Sequence, residues 1–518
     1  MFSYFKNLMQ RYTTREPSPS ASNIKQVLTE DLAWNLEFFR KKFDGSADLT
    51  IREMEIEGTK SAVITIEGMV NKETLANAVI NPIMRTFYSQ EDPVEKYEYI
   101  KDNVLSSSEQ VQVGSFEEAF ALVMSGFALI AMDGCCVMLA IGLQGFSFRG
   151  VSEPNNEVME KGSKEGFVEP LRINMTLIRR RMKNPKLKFE TMSVGSVSKT
   201  DVCLCYLRDT VSPEIIKTIK KRLNASTLET VLSSAYLIPF LEEEKNLSLF
   251  SSIGLSERPD TVCGKIAEGR VAILVDGTPG VLIVPYLFVE YFQTMDDYSN
   301  QPYFATFTRW LKYFALFLAT LLPGIYVAVG TFNPEVFPEE LMNKIATAIA
   351  TTPLPLMLET LVIHFIYEIM REAGLRLPKP LGHAVSIVGA LVIGDTAISS
   401  GLIGATTLMV VALTAISSYV IPTLYEPIAI LRLLFILVGG ILGLWGVMLL
   451  LSMVIVSICG KTTYGVPFSA PVSPFSLFSM RDVAVRSNWK ILSKRANTVQ
   501  HMPGANPMDQ EGETENND

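Results

Sequence analysis

Residues 311–330 read LKYFALFLATLLPGIYVAVG. At ~1.5 Å per residue, a helix of this length crosses a ~30 Å hydrocarbon layer. Four more apolar runs follow it, at Leu354–Met370, Leu381–Ile398, Leu402–Leu424 and Leu431–Cys459. The chain before these runs is much more polar, and the tail after them is short. The expected fold class is α+β, with two related α/β cytoplasmic subdomains followed by an all-α multi-pass transmembrane bundle. The expected boundaries are a flexible lead at 1–27, subdomains at 28–160 and 161–300, and a helical membrane domain at 301–460. A C-terminal segment ending in a disordered acidic tail takes up 461–518.

Composition agrees with a divided chain. Hydrophobic residues make up 48% of the 518, yet 19% are charged. The net charge of −8 argues against a nucleic-acid partner. Met1–Ser20 carries Lys6, Arg11 and Arg15 and no continuous apolar core, so no signal peptide is expected and the N-terminal region is read as cytoplasmic. None of the six cysteines is spaced as CxxC, and they read as reduced structural thiols. GxGxxG, Walker A, HExxH and GxSxG motifs are absent, and only three histidines are present. No enzymatic activity, cofactor or metal is therefore expected.

The polar region repeats one grammar. Leu49–Glu55 and Ser61–Ile66 alternate as strands, Ser115 with Glu117 and Glu118 opens a helix, and Asp133-Gly134 separates two apolar runs. Asp201–Leu207 is again a strand, Pro213 starts a helix, and Asp276-Gly277 again separates two apolar runs. Each Asp-Gly pair predicts a type I′ hairpin turn. Val70-Asn-Lys-Glu73 matches Val211-Ser-Pro-Glu214 at an offset of 141, and Gly126 with Asp133-Gly134 matches Gly269 with Asp276-Gly277 at 143. Two patterns in one order at nearly one offset suggest an internal duplication.

Within the apolar region the second run is the most compromised. It carries Glu359, His364 and Glu368, and Asp395 lies in the third run. Ionisable groups at membrane depth cost at least ~2.5 kcal/mol each if they face lipid. They must face protein, water or one another, so Glu359, His364, Glu368 and Asp395 are candidates for an ion path or gate. The competing reading pairs Glu368 with Arg371 or Arg376 and places Asp395 at a helix break. Leu322-Pro-Gly324 predicts a kink in the first run. Five full crossings from a cytoplasmic N-terminal region put the C-terminus outside, whereas Arg481, Arg486, Lys490, Lys494 and Arg495 favour the inside. Either Leu354–Met370 does not cross fully or Tyr464–Met480 re-enters.

Several motifs together resemble one family. They are Lys164-Glu-Gly-Phe167 with Asn174 and Leu177-Ile-Arg-Arg-Arg181; Glu257-Arg-Pro-Asp260; Glu268-Gly-Arg270 running into Val271–Gly277; Arg371-Glu-Ala-Gly374 with Arg376-Leu-Pro378; and Val388–Gly394. In this order they resemble the A subunit of GerA-type nutrient germinant receptors of spore-forming bacteria, over about residues 30–475. The chain departs from the family pattern at His383 and Ser386. The resemblance implies a multi-pass protein of the spore inner membrane, in contact with lipid. It implies a permease-like B subunit and a lipoprotein C subunit as partners, homo-oligomerisation, and a role in forming or gating a cation-release path. Arg172, Arg179, Arg180, Arg181, Arg258 and Arg270 are the candidate subunit-interface residues. A SpoVAF-like accessory that modulates ion release and a standalone transporter are the competing functions. The transporter predicts inverted repeats among the apolar runs, and the only repeat lies in the polar half.

Overall fold

The computed structural model describes residues 27–105, 109–145, 154, 157, 159, 161–242, 248–336, 338–340, 342–343, 347, 352–376, 394–493 and 498–506. These residues divide into two compact units. The first contains the chain to residue 151, residues 168–192 and residues 203–208; the second contains residues 152–167, 193–202 and everything from Asp209 on.

The first unit is built on strands β1 (Leu49–Ile56), β2 (Thr59–Ile66), β3 (Gln110–Val113), β4 (Phe127–Met132) and β5 (Met138–Gly142), in the order β1-β2-β4-β5-β3. Every pairing is antiparallel. β4 is buried at all six positions, which for an antiparallel strand means that both faces are covered. Phe127, Leu129 and Ala131 meet helices α1 (Leu32–Phe43) and α2 (Phe116–Val123), while Ala128, Ile130 and Met132 meet Val79, Ile83, Tyr97 and Ile100. Burying an aromatic such as Phe39 or Phe43 contributes ~1.5–3 kcal/mol. Asp31 caps α1 by accepting from the amides of Ala33 and Trp34, and Ser115 caps α2 by accepting from Glu118 N.

Strands β6 (Leu187–Val194), β7 (Thr200–Leu207), β8 (Gly254–Ser256), β9 (Val271–Val275) and β10 (Val281–Val284) make a second sheet in the order β6-β7-β9-β10-β8. Counted from its first strand, this is the order of the first sheet. Helices also recur in register: α2 precedes β4, and α5 (Pro259–Ala267) precedes β9, with α3 (Leu171–Arg181) and α4 (Pro213–Asn224) between them in the chain. The duplicated sequence pattern thus corresponds to a duplicated topology.

The hairpin turns differ from expectation. Gly134 and Gly277 have positive φ, but the aspartates before them do not, and five residues rather than two separate the strands. Asp133 instead accepts from the amide of Leu32 at 3.0 Å, at the start of α1. Two-residue turns with positive φ at both positions occur instead at Glu57-Gly58, which closes β1 on β2, and at Tyr464-Gly465, between the paired Thr463 and Val466.

The apolar region lies in the second unit. Helices α6 (Pro302–Thr320) and α7 (Leu322–Phe332) meet at a 47° bend at the expected Leu322-Pro-Gly324 kink. Helices α8 (Leu356–Arg376), α9 (Ala405–Tyr419) and α10 (Tyr425–Gly460) follow. Among the described residues one helical stretch, Pro422–Gly460, is long and apolar enough to cross a membrane, and α6 with α7 makes a second if counted as one span. Five separate spans are therefore not found among the described residues. The fourth run yields only the 15 residues of α9, and α8 carries Glu359, Glu368, Arg371, Glu372 and Arg376 besides its histidine. Of the third run, residues 381–393 lie outside the described residues, as does His383.

Two packing details shape this region. α7 and the first half of α10 touch through their backbones: a Cβ on Gly324 would stand 2.7 Å from Phe435 O, and one on Gly439 would stand 2.5 Å from Gly324 O. At Gly443 (φ 64°, ψ −154°) α10 is broken, and Phe332 packs against the break. Gly446 lies beside Val438, and Gly439 beside Val447. In a straight helix residues eight apart are separated by ~12 Å.

Candidate functional site

In the first half of α8 one face, with Glu359, Thr360, Ile363 and His364, is buried. Glu359 is 1% exposed; its Oε1 accepts from Gly404 N at 2.8 Å and its Oε2 from the Thr352 hydroxyl at 3.4 Å. Gly404 is the N-cap of α9, and a carboxylate from another helix satisfies its own amide at the positive end of that helix. His364 is also 1% exposed. Neither of its ring nitrogens has a hydrogen-bond partner among the described residues.

One turn further on, Glu368 is the centre of a polar knot. The Tyr425 hydroxyl lies 2.8 and 2.7 Å from its two oxygens, Arg371 Nε donates at 3.3 Å, and Arg432 Nη1 stands 3.8 Å away. The Arg371 guanidinium stacks on the Tyr425 ring at 3.7 Å. Arg432 is 1% exposed, and its Nη2 donates to Ser418 Oγ at 2.8 Å. The knot joins α8, α9 and α10 and holds one carboxylate against two guanidiniums. Its two guanidiniums outnumber its one carboxylate.

The structure thus gathers Glu368 with Arg371, as the competing reading expects, and leaves Arg376 on Glu372. Asp395 is exposed and joins neither cluster. Sequence reasoning misses Arg432, Tyr425 and Ser418 as members of the site. The available signal for Arg432 is a lone guanidinium followed by LLFILVGGILGL, which must find a partner.

The candidate interface arginines separate by burial. Arg179 is 1% exposed, binds both oxygens of Asp48 at 2.7 and 3.0 Å, and donates to the carbonyls of Asn184 and Leu187. Arg258 holds Asp260 and the carbonyls of Glu157 and Ser163. Arg270 spans Glu268 and Glu290. These three are buried inside their own units and offer no surface to another subunit. Arg172 is exposed, and Arg180 and Arg181 are half-buried.

A second buried network lies where the helices meet the α/β part of the second unit. Arg309 Nε donates to Asp297 at 2.7 Å and its Nη1 to the Asp482 carboxylate at 2.8 Å; Lys312 reaches Asp297 at 3.2 Å. Nearby, Glu290 faces Arg270 and Lys265 and accepts from Leu287 N at 2.7 Å. Burial pushes the Glu290 carboxyl up, but the two cations outweigh it and hold it below the usual range.

Residues 37–498 match the family model described as "Bacillus/Clostridium GerA spore germination protein". The chain belongs to this family. It is 36% identical to "Spore germination protein KA" of Bacillus subtilis (strain 168), over 91% of this chain and 87% of that one. It is 34% identical to "Uncharacterized membrane protein YfkQ" of the same strain, over 92% and 93%. A crystal structure of the N-terminal domain of the A subunit of the Bacillus megaterium spore germinant receptor GerK3 is 29% identical. It covers 51% of this chain and 99% of its own, with a TM-score of 0.41.

Proposed function

We propose that this protein is the A subunit of a nutrient germinant receptor of bacterial spores. It acts with a permease-like B subunit and a lipoprotein C subunit, sits in the spore inner membrane as a multi-pass protein, and oligomerises. Its helical region forms or gates a cation-release path. The observation that carries the reading is family membership over nearly the whole chain, joined to a helical region whose buried ionisable groups are placed unlike those of a passive anchor. Glu368 acts as the lock: while Tyr425, Arg371 and Arg432 hold it, its charge is unavailable to a passing cation. Opening exchanges those partners for water or an ion. Glu359 and His364, less than two turns apart on α8, are the groups an opened path would meet next. Of the interface candidates, Arg172, Arg180 and Arg181 remain for contacts with other subunits.

The test is monovalent-cation flux from vesicles holding the assembled receptor. Glu368→Gln weakens the lock and is expected to change the flux several-fold, and Glu359→Gln to change it as well. Unchanged flux in both variants and in Asp395→Asn, with normal assembly, rejects the path. An accessory that modulates ion release would need neither B nor C subunit, so failure of both to co-purify with this chain favours that reading instead.

A further inference from the structure

We propose that α10 is a membrane hairpin that turns back at Gly443, so that both of its ends, and the C-terminal segment after it, lie on the face of the bilayer that carries the α/β part of the second unit.

The first support is local. The backbone at Gly443 is not helical, and the residues flanking it pair about that point, Val438 with Gly446 and Gly439 with Val447. An unbroken helix of 36 residues would be ~54 Å long, nearly twice the hydrocarbon thickness. Each half, Tyr425–Leu442 and Leu444–Gly460, is about 26 Å.

The second support is a closed path through the unit. Tyr313 on α6 packs tilted against Phe292, ring centroids 4.3 Å apart; Phe292 meets Phe288 at 5.5 Å, and Phe288 meets both Phe250 (5.4 Å) and Phe468 (5.9 Å). Lys461, directly after α10, donates to the Phe250 carbonyl at 2.6 Å. Tyr313, just past the middle of α6, and the end of α10 therefore lie at one aromatic cluster. From Tyr313 the last turns of α6 and then α7 lead away from it, and α7 runs beside the first half of α10 in the same direction, Gly324 against Phe435 and Phe332 against Gly443. Gly443 is thus at the far end. The helical rise from Gly443 to Lys461 supplies ~27 Å, against ~28 Å of helix from Tyr313 to Phe332, which the 47° bend shortens as a straight-line distance. The second half of α10 is long enough to run back to the cluster.

Lipid is the occupant of the outer faces. No charged residue occurs from Leu433 to Gly460, and Ile441, Trp445, Met453 and Val456 are all more than half exposed. The turn itself, Leu442-Gly-Leu-Trp445, is apolar with a tryptophan, as suits a turn that stays in the bilayer interface. A hairpin adds an even number of crossings, so the basic residues from Arg481 to Lys490 return to the side of the α/β region without any further re-entrant segment.

Two measurements on the full chain test this, neither of which depends on ion conduction. In a chain whose exposed Cys136 and Cys459 are replaced by Ser, Val438→Cys with Gly446→Cys should form a disulfide on mild oxidation. Residues eight apart in a continuous helix are too distant to do so, and a folded variant that does not cross-link overturns the hairpin. In the same background, Val197→Cys and Lys490→Cys, both at exposed positions, are labelled with a membrane-impermeant maleimide in sealed vesicles of each orientation. Labelling from the same side supports the proposal; labelling from opposite sides overturns it, even if the double-cysteine variant fails to fold.

Discussion

Arg309 and Asp297 are joined by a 2.7 Å bond, and both side chains are almost wholly shut from solvent, at 0% and 2% exposure. Arg309 lies in the first half of the bent helix pair, and Asp297 belongs to the segment that leads into it. Removing one member strands the other charge in a low-dielectric site, at ~3–5 kcal/mol. Arg309→Ala should therefore lower the thermal midpoint in detergent markedly. Lys312 keeps its contact with Asp297 and softens that loss, but Asp482 is left without its guanidinium. Asp482→Asn, whose side chain is 18% exposed, should cost less.

Glu359 and Gly404 provide a sharper contrast. Glu359→Gln keeps an oxygen to accept from Gly404 N, while Glu359→Ala leaves that buried amide without its partner. The alanine variant should lose ~1–3 kcal/mol more than the glutamine variant. Equal losses, read as thermal midpoints of the full chain, would show that the carboxylate does not cap α9.

Glu290 predicts an acid-side loss. Its folded pKa lies below 4.5, so its contribution to stability is fully present above that ordinary value. It disappears as pH falls through the lower, folded-state value. Glu290→Gln should flatten the stability profile below about pH 4.5 while lowering stability at neutral pH.

Gly68 is the clearest backbone site. Its φ is +80°, and a Cβ there would run into Thr176 Oγ1. Gly68→Ala should destabilise the first unit through both strain and clash. Adding Thr176→Ala should recover the clash but leave ~1 kcal/mol of left-handed strain. Full recovery in urea unfolding would mean that the backbone contribution is negligible.

Much of the α/β region is legible in the sequence because its cues are local. Strand alternation marks β1 and β2, Ser115 marks the start of α2, and the offset of 141–143 residues anticipates a sheet order that recurs. The hairpin turns are not legible in this way, because Asp133 is recruited to cap α1, a partner 101 residues away that no local pattern reveals. The kink at Pro323 is legible; the break at Gly443 is not, since glycines inside an apolar run are equally compatible with close helix packing. Residues 439, 440 and 446 are glycines too, and only contacts distinguish their roles. Arg432 is hidden for a similar reason: its partners Ser418 and Glu368 lie on two other helices.

The Arg309–Asp482 bond also bears on biogenesis, since the partners are 173 residues apart in the chain. At ~5–20 residues per second, translation needs roughly ten to thirty-five seconds to supply the second carboxylate after the arginine has emerged. Asp297 is already made and can hold the guanidinium during that wait, but the network closes only when the last segment arrives. A chain cut short before residue 482 would leave Arg309 and Lys312 to share the single carboxylate of Asp297, one acid for two cations.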